Sequence, residues 1–221
     1  MQKKKLLIFG LGEAAELALF YFNNDSDYSV EAFSVDKAYL KNDQFCGLPV
    51  IAFEEIQNKF PPSEFEMFIA LGYSEINAIR KKKYLAAKQK GYTLPSYISS
   101  RATIFDANNI GDNCFVLENN TIQPFVTIGN NVTLWSGNHI GHHSKVEDHV
   151  FVASHAVISG GVKIGSKSFI GVNATLRDNI SIGEGCVIGA GALVNKNIRS
   201  NYVVKGNVSQ EIISTSDLKK I

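Results

Sequence analysis

The sequence predicts two domains of different fold class, a small α/β domain at the N-terminus and an all-β parallel β-helix after it. Two observations support this prediction. Aliphatic residues recur at every sixth position through the second half, whereas the first half alternates short apolar runs with helical segments. Because the period changes near residue 95, we expect domains at 1–95 and 96–208, followed by a C-terminal tail at 209–221.

The composition excludes several classes of protein. With 221 residues, 45% of them hydrophobic, and a net charge of +1, the chain has neither a basic block for nucleic acid nor a charge excess for an anionic membrane. No apolar run is long enough to span a bilayer, and the short run after the basic N-terminus fits a first strand better than a secretion signal. Three cysteines, Cys46, Cys114 and Cys186, show neither metal-ligand spacing nor an even disulfide set. We therefore expect a cytoplasmic protein.

Strands and helices alternate through the first 95 residues. We expect strands at 6–10, 28–36 and 66–72, helices at 13–23, 53–60 and 75–90, and an extended segment at 93–99. Such alternation predicts a small doubly wound domain with a parallel sheet.

A glycine-rich turn joins the first strand to the first helix. The segment Gly10-Leu11-Gly12-Glu13-Ala14-Ala15 matches G-x-G-x-x-A, and Asp36 ends the second strand, where an acid could bind a ribose. Glycines allow backbone N–H groups to approach a phosphate, and a helix N-terminus attracts it. The domain is therefore Rossmann-like. Because it has few strands, half a site for a nucleoside diphosphate fits better than a full site for NAD.

The second half repeats with a period of six residues. Neither an amphipathic helix nor a single strand has this period, but short strands stacked in coils have it. Small residues or glycines often follow the aliphatic position, as corners of a coil require. The repeating positions are Ile98, Ile104, Ile110, Val116, Ile122, Ile128, Leu134, Ile140, Val146, Val152, Ile158, Ile164, Ile170, Leu176, Ile182, Ile188 and Val194.

These hexads resemble those of the hexapeptide-repeat acyltransferases, whose left-handed β-helix has three hexads, or 18 residues, per coil. The two-domain layout is similar to that of bacterial sugar-nucleotide N-acetyltransferases and the sialic acid O-acetyltransferase group. The resemblance implies acetyl transfer from acetyl-CoA to an amino or hydroxyl group of a sugar, with a nucleotide-linked amino sugar favoured, for surface glycan such as lipopolysaccharide O-antigen. It also implies a homotrimer with active sites between neighbouring subunits.

His142 is the candidate general base. In coils of 18 residues it stacks beneath Gly160, whose N–H could stabilise an oxyanion while the imidazole takes a proton from the attacking group. The resemblance supports this assignment, because relatives carry their base in a short I-x-H segment, here Ile140-Gly141-His142. Relatives usually have an acid after that histidine, whereas this chain has His143.

The resemblance also implies contacts for both substrates. On the acceptor side, Gly10 and Gly12 would approach a diphosphate, and Asp36 and Lys37 would lie near the base and ribose. Relatives commonly have Gly-Gly-His-Ala where this chain has Gly12-Glu13-Ala14-Ala15, so the histidine is missing and an acid is added. The resemblance also implies Gly72 on the acceptor side and Val172 and Ala190 for coenzyme A. Further candidates are Trp135, which stands where relatives have an asparagine, His143 and His155 for the acceptor, and Gly160 and Lys205 for coenzyme A.

Alternative functions remain open from the sequence. γ-Class carbonic anhydrases bind zinc on a similar β-helix, but they have histidines five apart and this chain has none, so we expect no metal. The chain could instead O-acetylate a sugar that carries no nucleotide. A non-catalytic trimer that binds a nucleotide is the third alternative.

Overall fold

The computed structural model describes residues 3–206, and its first part is a five-stranded sheet flanked by helices. The elements are β1 (Lys4–Phe9), α1 (Glu13–Asn24), β2 (Tyr28–Val35), a 3₁₀ turn (Lys37–Tyr39), β3 (Gln44–Phe45), β4 (Leu48–Ala52), α2 (Ile56–Lys59), β5 (Glu66–Ile69) and α3 (Ala78–Gln89). The strand order is β3-β4-β2-β1-β5. Helix α1 packs on one face of the sheet, and α2 and α3 pack on the other.

The sheet is mixed, so the prediction of a fully parallel sheet was wrong. Strands β1, β2, β4 and β5 are parallel, but β3 pairs with β4 in antiparallel fashion. A two-residue turn joins them, with Cys46 at φ 48° and Gly47 at φ 77°. Two consecutive residues of positive φ match the twist of a β-hairpin, which lets the chain reverse here without a crossover helix.

Helix α3 begins three residues later than the sequence predicts. Glu75, Ile76 and Asn77 all have positive φ, at 51°, 50° and 64°, and the helix starts at Ala78. Isoleucine is rarely found in this conformation because its branched side chain clashes with the backbone. Contacts with the second domain hold the segment in place and are described below.

The second part is a β-helix of short parallel strands on three faces. The first face holds Tyr97–Ile98, Phe115–Val116, Thr133–Leu134, Phe151–Val152, Phe169–Ile170, Val187–Ile188 and Val203–Val204. The second face holds Thr103–Ile104, Thr121–Ile122, His139–Ile140, Val157–Ile158, Thr175–Leu176 and Leu193–Val194. The third face holds Thr127–Ile128, Lys145–Val146, Lys163–Ile164 and Ser181–Ile182.

The strands pair at intervals of 18 residues, as three hexads per coil predict, except in the last coil, where Val187 pairs with Val203. Thr133 pairs with Phe151, and His139 with Val157, in parallel register. In each two-residue strand the second residue points inward, and the aliphatic series from Val116 to Val194 forms one buried core. The predicted fold class, an α/β domain followed by a left-handed parallel β-helix, is confirmed. The domain boundaries stay a prediction, and the tail at 209–221 lies outside the described residues.

The first face of the β-helix packs against the α/β domain. Phe22 of α1 contacts Tyr97 with ring centroids 5.5 Å apart, and Phe68 of β5 contacts Phe115 at 5.4 Å. These rings are buried, so the two domains share one apolar cluster. Among residues 3–206, no helix has the length and apolar character needed to cross a membrane.

Candidate functional site

The glycine turn lies where β1, β5 and α1 meet. Gly10 has φ 129°, and a Cβ there would lie 2.6 Å from the carbonyl oxygen of Ala70, so only glycine fits without a shift of the backbone. Gly12 precedes α1, whose N-terminus has no side-chain cap. An uncapped helix N-terminus offers N–H groups to an anion. The carboxylate of Glu13 in the same turn opposes this attraction.

A cavity of about 610 Å³ opens beside this turn, between the α/β domain and the first face of the β-helix. The α/β domain lines it with Gly12, Glu13, Ala14, Leu17 and residues 68–73. The β-helix lines it with Asn113, Phe115, Thr133, Trp135, Phe151, Ala153, Ser154, Phe169 and Val172. Glu13 is the one charged side chain in this lining. The cavity therefore brings together four of the predicted site residues, Gly12, Gly72, Trp135 and Val172.

Aromatic rings form one wall of the cavity. Tyr73, which follows β5, lies 5.0 Å from Phe151 and 4.6 Å from Phe169 between ring centroids. Phe151 and Phe169 stack at 5.7 Å, and Trp135 lies 6.3 Å from Phe151. Aromatic faces of this kind suit a flat ring or the apolar face of a sugar.

Asp36 and Lys37 do not line the cavity. The Asp36 carboxylate pairs with Lys83 at 2.5 Å, and the Lys37 ammonium pairs with Glu55 at 2.9 Å. The Lys37 N–H also donates to Glu54 at 2.9 Å. Both side chains are thus engaged with partners of their own domain.

The segment before α3 is fixed to the β-helix by hydrogen bonds. The Asn77 amide donates to the carbonyl oxygen of Lys167 at 2.8 Å, and its oxygen accepts from Arg80 at 2.9 Å. Arg80 also donates to the hydroxyl of Thr133 at 2.6 Å and to the carbonyl of His149 at 2.8 Å. The strained turn at 75–77 connects Tyr73 to this network. Because the hydrogen bonds of Asn77 hold that turn in place, Tyr73 stays beside the cavity.

His142 lies over Gly160, as the 18-residue spacing predicts. A Cβ on Gly160 would be 2.8 Å from Nε2 of His142, so the imidazole needs glycine beneath it. Within residues 3–206 no acceptor binds the Gly160 N–H, which leaves this donor free. The Nδ1 atoms of His142 and His143 lie 3.0 Å apart, which is within hydrogen-bonding distance.

Three of the other histidines occupy turns of the coil, whereas His139 lies in a strand. His143, His149 and His155 have φ values of 59°, 66° and 59°. His143 and His155 are exposed, and the His155 ring lies over Gly137. His149 is buried, its Nδ1 lies 2.9 Å from the Asn131 amide nitrogen, and burial lowers its pKa to about 4. His149 is therefore neutral near pH 7.

Comparison with known proteins identifies the repeat. The family model "Bacterial transferase hexapeptide (six repeats)" matches residues 109–141, 125–160 and 161–196. The matched residues, 109–196, are thus a hexapeptide-repeat region, called the hexapeptide domain. The predicted resemblance to the hexapeptide-repeat acyltransferases is thus confirmed. No curated protein sequence matches the chain.

Solved structures share the fold of both domains at low sequence identity. A variant of perosamine N-acetyltransferase from Caulobacter crescentus, in complex with CoA and GDP-perosamine, has a TM-score of 0.82 and 20% identity, covering 91% of this chain and 93% of that one. The acetyltransferase domain of PglB from Neisseria gonorrhoeae has a TM-score of 0.79 and 24% identity, covering 95% and 100%. WeeI from Acinetobacter baumannii has a TM-score of 0.78 and 20% identity, covering 92% and 97%.

Val172 and Ala190, two of the predicted contacts for coenzyme A, lie one coil apart. The N–H of Gly191 donates to the carbonyl of Val172 at 2.8 Å, so Ala190 lies next to Val172 in its column. Val172 is 44% exposed and could contact a ligand. Lys205 is exposed and lies next to the last described residue, 206.

The hexapeptide domain gathers no metal site within residues 3–206, because no three ligand-type side chains there converge. His143, His149 and His155 lie at three different corners of one coil. Sequence reasoning missed Tyr73, Arg80 and Thr133. Only Thr133 gave a signal, because it interrupts a column of aromatic residues read at intervals of 18.

Proposed function

We propose that this protein transfers the acetyl group of acetyl-CoA to an amino or hydroxyl group of a sugar. The observation that carries the proposal is the pairing of His142 with Gly160 on the surface of the hexapeptide domain, which puts an imidazole beside a free backbone N–H. The perosamine N-acetyltransferase, which shares both domains of the fold, was solved with CoA and a nucleotide sugar, and this supports the same substrate classes here.

The proposed reaction needs two groups from the protein. His142 removes a proton from the attacking amine or hydroxyl as it adds to the thioester carbonyl. The Gly160 N–H donates to the oxygen that becomes negative. When the C–S bond breaks, the protonated His142 gives its proton to the leaving sulfur, so CoA leaves as the thiol and the imidazole is neutral again. Since His143 lies 3.0 Å from Nδ1 of His142, it orients the imidazole in place of a carboxylate. Val172, Ala190 and Lys205 are the proposed contacts for CoA.

A nucleotide-linked amino sugar is our preferred acceptor, so N-acetylation is preferred to O-acetylation. The glycine turn and the uncapped start of α1 border the cavity and could receive a diphosphate. Gly10, Gly12, Gly72 and Trp135 keep their proposed roles in acceptor binding. Asp36 and Lys37 would have to leave their ion pairs to reach a base or ribose.

We further propose a cytoplasmic homotrimer acting in surface glycan synthesis. The cysteines Cys46, Cys114 and Cys186 are all free, as is usual in a reducing compartment. A trimer would also explain why His142 is exposed on one corner of the coil while the cavity lies on the first face. His143 and His155 would then face the acceptor across a subunit boundary.

The test is release of the CoA thiol from acetyl-CoA with amino sugars, free and linked to UDP, GDP, CDP or dTDP. His142→Ala should lower the rate with the active acceptor by about 100-fold or more, the usual contribution of a general base. His139→Ala, three residues away on the same coil, is the matched control and should retain activity. An unchanged rate in His142→Ala, or no acceptor that releases CoA, would refute the proposal.

A further inference from the structure

Arg80 carries a buried positive charge without a carboxylate partner. Its side chain is 1% exposed, and it forms no ion pair with any residue from 3 to 206. Its guanidinium instead donates to Thr133, to Asn77 and to the carbonyls of His149 and Val150. The Nε–H group has no acceptor in the described structure. Burial of an unpaired charge is costly, so such a feature calls for a functional reason.

Thr133 lies between this charge and the cavity. The outward positions of the first face read Tyr97, Phe115, Thr133, Phe151 and Phe169, so a hydroxyl replaces a ring at the level of the cavity. Thr133 lines the cavity, and Arg80 lies 5.6 Å from the Phe151 ring on the other side. Thr133 is thus the one non-aromatic residue among these five outward positions.

The hydroxyl proton of Thr133 is available for a ligand. A hydroxyl has one proton, and its oxygen here accepts the bond from Arg80 at 2.6 Å. Within residues 3–206 no acceptor binds that proton. Because the oxygen already accepts from a cation, the hydroxyl is polarised and becomes a stronger donor. Its neighbour Asn113 cannot substitute, since its amide is bound to Ile69 and Asn131.

We propose that Thr133, held and polarised by Arg80, is a specificity-determining residue that donates a hydrogen bond to an oxygen on a ring of the acceptor. The ring stacks against Trp135 and Phe151, and its oxygen is either a nucleobase carbonyl or a sugar oxygen. This inference deepens the proposed function and rests on it. It shifts recognition of the ring from Asp36 and Lys37, which are paired elsewhere, to the face of the β-helix.

The single tryptophan of the chain, Trp135, lines the same cavity and reports binding by its fluorescence. Wild type and variants would be titrated with UDP and GDP in one arm and with glucosamine in the other. Thr133→Val keeps the shape of the side chain and removes the hydroxyl. We expect it to raise the Kd of the ligand that binds wild type about tenfold, as loss of one good hydrogen bond does. Thr133→Ser restores the hydroxyl and should bind within about twofold of wild type.

Thr175→Val is the matched control, because Thr175 holds the same outward position on the second face, away from the cavity. Equal binding by wild type and Thr133→Val would overturn the proposal, and so would the absence of binding in both arms. Acetyl-CoA binding and CoA release are measured separately. Loss of ligand binding in Thr133→Val without any acetyl transfer by wild type would support the Thr133 contact and reject only the proposed function.

Thr133→Val also leaves one more Arg80 N–H without an acceptor. Its thermal unfolding must therefore show a folded protein before its binding is compared with wild type. A second measurement does not depend on a variant. In a crystal structure of the wild-type protein with UDP or glucosamine, we expect a ligand oxygen within about 3 Å of the Thr133 hydroxyl. A ligand seated in the cavity with no oxygen at that distance would overturn the proposal.

Discussion

Three histidines spaced six residues apart owe their clustering to the backbone. His143, His149 and His155 all have φ near 60°, a conformation that asparagine, aspartate and histidine tolerate better than other residues with a Cβ. The same corner position elsewhere holds Asn113, Asn131, Asn173, Gly161 and Gly185. The histidine-rich segment is therefore first a set of corners, whereas His142 lies outside this position and next to Gly160.

His149 should make the stability of the protein depend on pH. Its pKa is lowered to about 4 by burial, and in the unfolded chain it returns to about 6.5. The unfolded state then binds more protons between these values, so stability falls as the pH drops from about 6.5 to about 4. The loss from this group should be roughly 2 to 3 kcal/mol, measured by urea unfolding at several pH values.

His149→Asn is the matched variant for this prediction. Asparagine suits positive φ and can accept from the Asn131 amide, as Asn131 does from Asn113. It cannot titrate, whereas the neighbouring Asp148, Arg80, Lys81 and Lys167 are unchanged. The variant should lose less stability than wild type over this pH range. Parallel curves for the two proteins would contradict the prediction.

At the scale of elements, the sequence predicted what local periodicity determines. Each hexad contains its own strand and corner, so the strands of the β-helix followed from counting, and their 18-residue register followed from the three hexads per coil that the family resemblance implies. The β3-β4 hairpin had one local signal, Gly47, in a turn that the alternation of strands and helices obscured. The turn at 75–77 had none, because it contains no glycine and its conformation depends on contacts with the other domain.

Asn77 should therefore contribute more stability than an ordinary corner asparagine. Asn77→Gly keeps the positive φ but removes the bonds to Lys167 and Arg80, leaving a buried guanidinium less satisfied. We expect a loss of about 2 kcal/mol in the free energy of unfolding. Asn77→Ala should lose roughly 1 kcal/mol more, because alanine is strained at φ 64°.

Asn173→Gly is the control for this pair. Asn173 has φ 54° and is exposed, and its side chain makes no hydrogen bond with the described part of the chain. Its replacement by glycine should change stability by only a few tenths of a kcal/mol. Similar losses in Asn77→Gly and Asn173→Gly, measured by urea unfolding, would show that Asn77 does not fix the turn.

At the scale of the whole molecule, the two halves of the candidate site differ in how far the sequence could predict them. The pairing of His142 with Gly160 follows from the hexad repeat together with the three hexads per coil that the family resemblance implies. The cavity depends on how one domain docks on the other, and it joins Gly12 and Tyr73 to Thr133 across 60 or more positions of sequence. No local pattern encodes that docking, and Arg80 and Thr133 were missed for this reason.

His142 is absent from the lining of the cavity in a single chain. If the active site forms between subunits, the cavity of one protomer must face His142 of its neighbour. Two inactive variants should then restore each other. His142→Ala keeps the cavity, and Gly72→Phe fills it, since a Cβ at Gly72 meets no atom within 4 Å and the ring can extend inward. Coexpressed with different tags and purified as mixed trimers, the pair should recover activity.

The amount of activity recovered distinguishes a site formed between subunits from a site formed within one chain. In a mixed trimer, whichever variant is present twice, about one site in three combines an open cavity from one variant with His142 from the other. CoA release should then reach about a third of the wild-type rate. A site formed within one chain gives no such combination, because each protomer carries one defect. Mixed trimers as inactive as the separate variants would therefore show that His142 and the cavity do not act across a subunit boundary.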